Sequence, residues 1–397
     1  MRNLPFIAAL VVILLYLSLS WLSWISLRRL IHKPSYTTWF NRLFIAFTAL
    51  QALTFTALFI YPFTAATATY YPVYFVYNSI LITDIFMKIP MAIAATGIFI
   101  ARRDSVRFLL SFGSLLISAG ISLAFAWAFT LGPRTLQKNQ IELHFSHLPE
   151  SFDGYRVAVL SDFHLGNFHY KGLFEKCIRS CDEFNPDIIL FTGDLVNNFA
   201  EEINGWEPWF NRLHASDGKF AVLGNHDYGY YFRWPSALEK KQNFDNIQQS
   251  LRDLGFEILA NSSVAVTRGN DSVYIIGVEN WGHPPFPQYG DLEKAGRQIP
   301  LSAFKILMSH DPAHWEERVK YMDHFPLTFS GHTHGFQWGI KLAGFEFSIA
   351  GLAREHWGGL YNYNGNFLYV NKGIGTIGLP LRLDMPAEIT FVTLKKR

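Results

Sequence analysis

The chain is poor in cysteine and in charge. Cys177 and Cys181 are the only cysteines in 397 residues. They sit four apart in a segment that reads as helix, a poor geometry for a mutual disulfide, so cysteine usage gives no compartment and disfavours a closed structural zinc site. Charged residues make up 17% and hydrophobic residues 50%, a balance that is low in charge for a purely soluble protein. There is no internal repeat and no low-complexity tract. What charge there is divides unevenly. Residues 1–132 carry nine Lys/Arg against two acids, Asp84 and Asp104, whereas residues 133–397 carry 25 basic and 30 acidic residues. An acidic second part lacks the basic footprint of a nucleic-acid binder, so no nucleic-acid partner is expected.

Long apolar runs fill the first part. Residues 4–27, 43–63, 80–101 and 108–131 are expected as four membrane-spanning helices, each near the ~20 residues that cross a bilayer. The first is too long for a signal-peptide core and lacks a small-residue cleavage site before Arg28 and Arg29. Arg28, Arg29, Lys33 and Arg42 follow the first run, and Arg102, Arg103 and Arg107 precede the fourth; the stretch from Thr64 to Pro72 has no charge. Positive-inside logic places the two basic loops in the cytoplasm and both termini outside. The third run holds Asp84 and Lys88, one helical turn apart, with Pro90 beyond. An internal ion pair is the favoured reading over a functional intramembrane charge.

Gly132-Pro133 ends the last run. Residues 133–154 read as a linker with an edge strand at Ile141–Phe145. The remainder, 155–397, reads as one α/β domain. Short apolar strands are expected at 156–160, 187–191, 220–223, 304–308 and 327–329, with helices at 171–184, 201–214 and 236–254 and further strands at 264–267, 273–278, 367–370 and 388–394. The first five strands end in chemistry that binds cations. Asp162 and His164 follow the first, Asp194 the second, Asn225, His226 and Asp227 the third, His310 the fourth, and His332 and His334 the fifth. Open α/β sheets build their sites at such strand ends. Gly193, Gly224 and Gly331 let the backbone turn and approach closely there. Each block alone is weak, since a Gly-Asp is most often a turn; the ordered set of five is a specific signal. Mixed Asp, His and Asn donors suit two divalent ions of borderline softness, Mn²⁺ first, with Fe or Zn as alternatives.

These blocks resemble the calcineurin-like metallophosphoesterases: Asp162-x-His164, Gly193-Asp194, Gly224-Asn225-His226-Asp227, His310 and Gly331-His332-x-His334. The tail from Asn371 to Gly375, Leu379 to Arg382 and Pro386 to Ile389 is similar to the bacterial membrane-associated branch. Phe336 stands where that branch usually has a second glycine. The resemblance implies two packed β-sheets flanked by helices and a phosphomono- or phosphodiesterase acting by attack of a hydroxide shared between two metals. It implies one ion on Asp162, His164, Asp194 and His334, and the other on Asp194, Asn225, His310 and His332. Asp194 would bridge with its two oxygens, His226 would serve the leaving group, and Asp227 would orient the His226 ring. His283, Arg354 and His356, and the aromatic stretch Tyr228–Trp234, are candidates for substrate contact or for plain packing.

The function expected is a membrane-anchored phosphoesterase of the bacterial cell membrane, its domain outside the cytoplasm. Its partners would be the lipid bilayer and a phosphoester substrate, which that location suggests to be lipid-linked. The alternatives are a non-catalytic metal-binding sensor or scaffold, a nuclease, and a cytoplasm-facing pyrophosphatase of nucleotide-linked lipid A precursors. Fusion of alkaline phosphatase to the C-terminus tests the orientation. An active phosphatase is expected; an inactive one beside a bright cytoplasmic-type fluorescent fusion would reverse the topology.

Overall fold

A computed structural model describes residues 6–60, 71–284, 286–322, 324–342 and 345–397. The chain forms two units that divide between Phe129 and Thr130. The first is helical: α1 (Phe6–Arg28), α2 (Pro34–Ile60), α3 (Tyr71–Ile100) and α4 (Asp104–Thr130). Among the described residues, three stretches are long and apolar enough to cross a membrane, Leu10–Arg28, Phe75–Ile100 and Asp104–Arg134. The second expected span forms within α2. Residues 4–5 and 61–63 of the expected spans lie outside the described residues.

The ion pair expected in the third run is present and has a third member. Lys88 Nζ lies 2.6 Å from Asp84 Oδ2, and the Tyr16 hydroxyl of α1 donates to the same oxygen at 2.7 Å. Lys88 also donates to the Tyr16 oxygen at 2.9 Å, and Ser23 donates to the Lys88 carbonyl at 3.1 Å. In a hydrocarbon setting an unpaired charge is costly, and this arrangement pairs both charges while joining α1 to α3.

The second unit is built on two six-stranded mixed sheets. In the first, β1 (Leu136–Phe145) lies parallel to β14 (Ala387–Lys396), which runs antiparallel to β2 (Tyr155–Leu160). Then β3 (Ile188–Phe191), β4 (Lys219–Ala221) and β5 (Glu257–Ile258) continue in parallel. In the second sheet, β12 (Gly359–Tyr363) pairs with β13 (Asn366–Val370), followed by β9 (Leu327–Ser330), β8 (Phe304–Met308), β7 (Asp271–Gly277) and β6 (Ser262–Arg268). A separate hairpin joins β10 (Gly339–Leu342) to β11 (Phe345–Ser348).

Strand periodicity decides which face each side chain covers. Val157, Val159, Ile188 and Leu190 point between the sheets, where they meet Ile275, Ile306, Met308 and Phe329. Their alternates Ala158, Leu160, Ile189 and Phe191 pack against the outer helix α5 (Lys171–Phe184) through Phe174, Cys177 and Ile178. Burial on both faces explains why these strands read as continuous apolar runs. The expected helix at 201–214 is not one helix. A 3-10 turn at Ala200–Ile203 and a short helix at Glu207–Phe210 are separated at Gly205, whose φ of +84° ends the first.

A loop at 371–386 returns over the strand ends. Arg382, fully buried, holds it together by donating to the carbonyls of Lys372, Gly373, Gly375, Met385 and Pro386 at 2.6–3.1 Å. Arg382→Met would take this donor from all five carbonyls; Gly373 keeps the Glu388 amide at 3.0 Å, and a carbonyl left buried and unpaired costs ~1–3 kcal/mol. Unfolding of the full chain in detergent, followed by tryptophan fluorescence, is expected to show a loss of at least ~3 kcal/mol. Arg382→Lys should recover only part, because an ammonium offers fewer donors in a less suitable shape.

Candidate metal centre

The five blocks converge. Donor atoms of Asp162, His164 and His334 lie within 4.8 Å of one another, as do those of Asp194, His310 and His332. All six come from the ends of β2, β3, β8 and β9. The backbone there is unusual. Asp162, His164, Asp194, His332 and His334 have φ between +47° and +73°, the left-handed region that residues with a Cβ rarely occupy. Such conformations persist only where surrounding structure fixes them, and they concentrate at functional sites. Here the fixing contacts are visible. The Asp162 amide donates to Gly193 O at 2.9 Å, the His164 amide to Asp194 O at 3.2 Å, and the Gly375 amide to Asp162 O at 2.8 Å.

Between the two groups lies Asp194. Its Oδ2 is 3.6 Å from His164 Nε2 and 3.2 Å from His310 Nε2. Its Oδ1 instead accepts the His226 amide at 2.9 Å. The expected bridge through two oxygens is therefore corrected: one oxygen faces both groups and the other is held by the backbone. Gly224 has no room for a side chain, since a Cβ there would sit 2.1 Å from Asp194 Oδ1.

His310 is oriented by its own strand-end neighbour. Its Nδ1 donates to the Thr192 carbonyl at 2.8 Å, leaving Nε2 directed at Asn225 Oδ1 (3.1 Å) and Asp194. His332 Nδ1 lies 2.8 Å from the same Asn225 oxygen. Asn225 presents that oxygen because its amide nitrogen donates to the Tyr231 hydroxyl at 2.7 Å. In the other group, His164 Nε2 and His334 Nε2 are 2.9 Å apart, with Asp162 Oδ1 at 3.4 Å from His334 Nε2.

Electrostatics show that this set is made to hold positive charge. Burial opposes a charged His310, yet the carboxylates of Asp194 and Asp162 lift it to about 10. Burial likewise opposes a charged Asp162, but His334 holds it down to about 2, and His310 and His226 hold Asp194 well below the usual carboxylate range. A protonated imidazole stands here where a cation would stand. The donor set contains oxygen and nitrogen only, convergent and buried, and so fits divalent ions of the Mn, Fe or Zn kind.

Asp227 is placed differently from what was expected. The Asp227 carboxylate does not touch the His226 ring. It accepts backbone amides from Asp194, Leu195 and Gly224 at 2.9 Å and from Val196 at 3.3 Å, so it shapes the β3 and β4 ends. Burial and the neighbouring Asp194 charge push it up to about 7 against those amides. The His226 ring is held by Asn197, whose carbonyl lies 2.8 Å from Nδ1, and by Tyr231, stacked at 4.1 Å. Burial lowers the His226 ring below its ordinary range. Asn197 is itself fixed by Glu202, which accepts the amides of Gly166, Asn197, Asn198 and Phe199 at 2.6–2.9 Å. Glu202 was hidden in the sequence by the helix expected at 201–214.

Arg354 reaches the site, its Nη1 3.0 Å from Asp311 Oδ1 and its Nη2 3.5 Å from His332 Nε2. His283 Nε2 lies 3.7 Å from Asp311 Oδ2. His356 is a buried packing residue, paired with Glu316 at 2.8 Å and set edge-on to Trp315 and Tyr361. Within the aromatic stretch, Tyr228 and Tyr230 pack against Tyr289, and only Tyr231 reaches the ligands. Asp311 was not singled out from sequence, and Tyr231 was named only as part of the aromatic stretch. Adjacency to His310 was the available signal for Asp311, and for Tyr231 it was its place in the aromatic stretch that follows His226.

Comparison with known proteins agrees with this geometry. Residues 155–336 match the family described as calcineurin-like phosphoesterase. An uncharacterized metallophosphoesterase of Aquifex aeolicus is 31% identical over 60% of this chain and 85% of its own. The chain belongs to the calcineurin-like metallophosphoesterases. Two relatives bear on the membrane part and the chemistry. A transmembrane protein with metallophosphoesterase domain from Danio rerio is 27% identical over 64% of this chain and 56% of its own. The UDP-2,3-diacylglucosamine pyrophosphatase LpxG of Chlamydia trachomatis is 27% identical over 70% of this chain and 94% of its own. The protein is thus a metal-dependent phosphoester hydrolase with helices capable of crossing a membrane.

Metal content gives a direct check. The purified full chain, loaded with Mn²⁺ and measured by elemental analysis, is expected to hold close to two equivalents. Asp194→Asn removes the one charge both groups share and should reduce this to below one. Retention of both ions in Asp194→Asn would show that the ligands are assigned wrongly.

Proposed function

We propose that the protein is a membrane-anchored hydrolase of lipid-linked phosphoesters that works with two divalent ions, Mn²⁺ in our reading. The observation that carries this is Asp194 Oδ2, set between two imidazole-carboxylate groups at 3.6 and 3.2 Å. Asp162, His164, Asp194 and His334 would hold one ion, and Asp194, Asn225, His310 and His332 the other. The ions supply charge neutralisation for the non-bridging oxygens of the phosphoester.

The remaining work falls to side chains. In hydrolysis water's oxygen bonds to phosphorus, the ester P–O bond breaks, and the leaving oxygen needs a proton. His226 would give it. With Nδ1–H donating to the Asn197 carbonyl, Nε2 is the nitrogen that takes up and releases a proton. Burial keeps the ring neutral until a phosphoester's negative charge arrives, and that charge favours the protonated ring. Tyr231 holds the Asn225 oxygen and the His226 ring in one geometry. Arg354, with one edge on Asp311, offers further N–H donors to a phosphate oxygen. Asp227 acts on positioning, through the backbone of Asp194.

The catalytic unit is placed outside the cytoplasm in this reading, from the seven basic residues of the two short loops. A second reading is a cytoplasm-facing pyrophosphatase of nucleotide-linked lipids, the activity in the name of the Chlamydia relative. Arg134 and Lys138, directly after α4, favour it.

The test is a screen of the purified chain with Mn²⁺ against phosphomonoesters, phosphodiesters, nucleotide sugars and lipid phosphates. Activity should vanish with chelator and return with the ion. His226→Ala is expected to keep its metal and lose roughly 10²- to 10⁴-fold in turnover. The loss should be smaller for aryl esters, whose leaving groups need little protonation. An equal loss across leaving groups would remove His226 from the proton-transfer role.

A further inference from the structure

One edge of the catalytic unit combines three features that the hydrolytic chemistry does not use. The first is apolar exposure. Phe336, Ile340, Phe345 and Leu352 are 51%, 57%, 68% and 77% exposed on and around the β10–β11 hairpin. Scattered apolar residues are ordinary at a surface, but a cluster on one short segment marks a contact. Phe336 also holds a left-handed backbone, φ +52°, at the position where glycine would be free of strain. An aromatic side chain is thus presented to solvent at a conformational cost.

The second feature is charge. A groove of ≈ 350 Å³ is lined by Arg134, Lys138, Lys176 and Arg179, with Glu183 as its one acid. Lys138 pairs with Glu183 at 3.0 Å, which leaves a net positive surface. The third is the tether. Between the end of α4 at Thr130 and the start of β1 at Leu136 lie five residues, at most ~20 Å of chain. The groove is built on that entry segment, and the hairpin is joined to it: Lys341 Nζ of β10 donates to Gln137 Oε1 of β1 at 2.7 Å.

We infer that this edge is a bilayer-docking face, with the hairpin inserted among the acyl chains and the basic groove on anionic headgroups. An apolar rim beside Lys/Arg is the composition of interfacial membrane contacts, which bury ~5–10 Å deep. A short tether makes the bilayer the surface always within reach. The hairpin segment also borders the metal centre at both ends, since Phe336 is two residues beyond His334 and Leu352 two before Arg354. Docking therefore brings the ligand set to the headgroup level, where lipid-borne phosphoesters lie. The inference rests on the chain being membrane-anchored and is independent of whether the proposed chemistry is right.

The test needs no turnover. The full chain is reconstituted in vesicles of phosphatidylethanolamine and phosphatidylglycerol, with an environment-sensitive maleimide fluorophore at Leu352→Cys or, as control, at Asn270→Cys in the β6–β7 turn. Both native cysteines are buried, so the label goes to the introduced thiol. Lipid-borne nitroxide is expected to quench the Leu352 label several-fold more than the Asn270 label. Adding Ile340→Asp and Phe345→Asp should bring the two to the same level. Equal quenching in the unsubstituted hairpin, with free access for aqueous iodide, would overturn the inference. Shielding from both quenchers would also overturn it, since a protein, either a second copy or another chain, would then cover the face.

Discussion

Everything at the site is arranged around a single carboxylate that must stay charged where water cannot reach it. Asp194 is buried at the end of β3 and flanked by imidazoles from three other strands. Left alone, such a group would take up a proton. It does not, because His310 supplies positive potential and the His226 amide occupies its second oxygen. Asp227 then fixes the backbone on both sides of it by collecting four amides. The ligand geometry is therefore a property of the β3 and β4 ends together. This is why Asp227, which touches no ligand side chain, sits among them.

Much of this was legible in the sequence, and for definite reasons. Strands buried on both faces leave continuous apolar runs, and each run ended in a residue type that binds cations. The ordered blocks from Asp162 to His334 marked six convergent donors and Asn225. Contacts made through backbone atoms left no such trace. Asn197 holds His226 through a carbonyl, a group every residue possesses, so no residue type could announce it. Glu202 works by accepting amides in a broken turn, whereas its spacing suggested an ordinary helix. Asp227 follows His226 directly in the chain, and adjacency suggested a partner for the ring where the side chain in fact turns toward Asp194. The β10–β11 hairpin was missed because its apolar residues face outward and have no buried periodicity to read.

The membrane part follows a different economy of contacts from the catalytic unit. Its helices present apolar side chains nearly all round, and the charges at Asp84 and Lys88 are closed on each other and on Tyr16. The catalytic unit does the reverse at its centre, gathering polar groups that cannot satisfy one another and so require an ion. One arrangement cancels charge to join helices. The other accumulates it to bind a cofactor.

The position of β14 has a consequence for how the protein comes to exist. This strand, residues 387–396, lies inside the first sheet between β1 and β2, although it follows every other described strand in the chain. β1 and β2 therefore cannot be joined before β14 has been made, and Asp162, at the end of β2, waits with them. The four helices precede all of this on the ribosome and can enter a bilayer long before the sheet closes. During that interval the enzyme is an anchored but open chain. Its birth then waits on residues 387–396, and a message cut short before them would yield the helices without an enzyme.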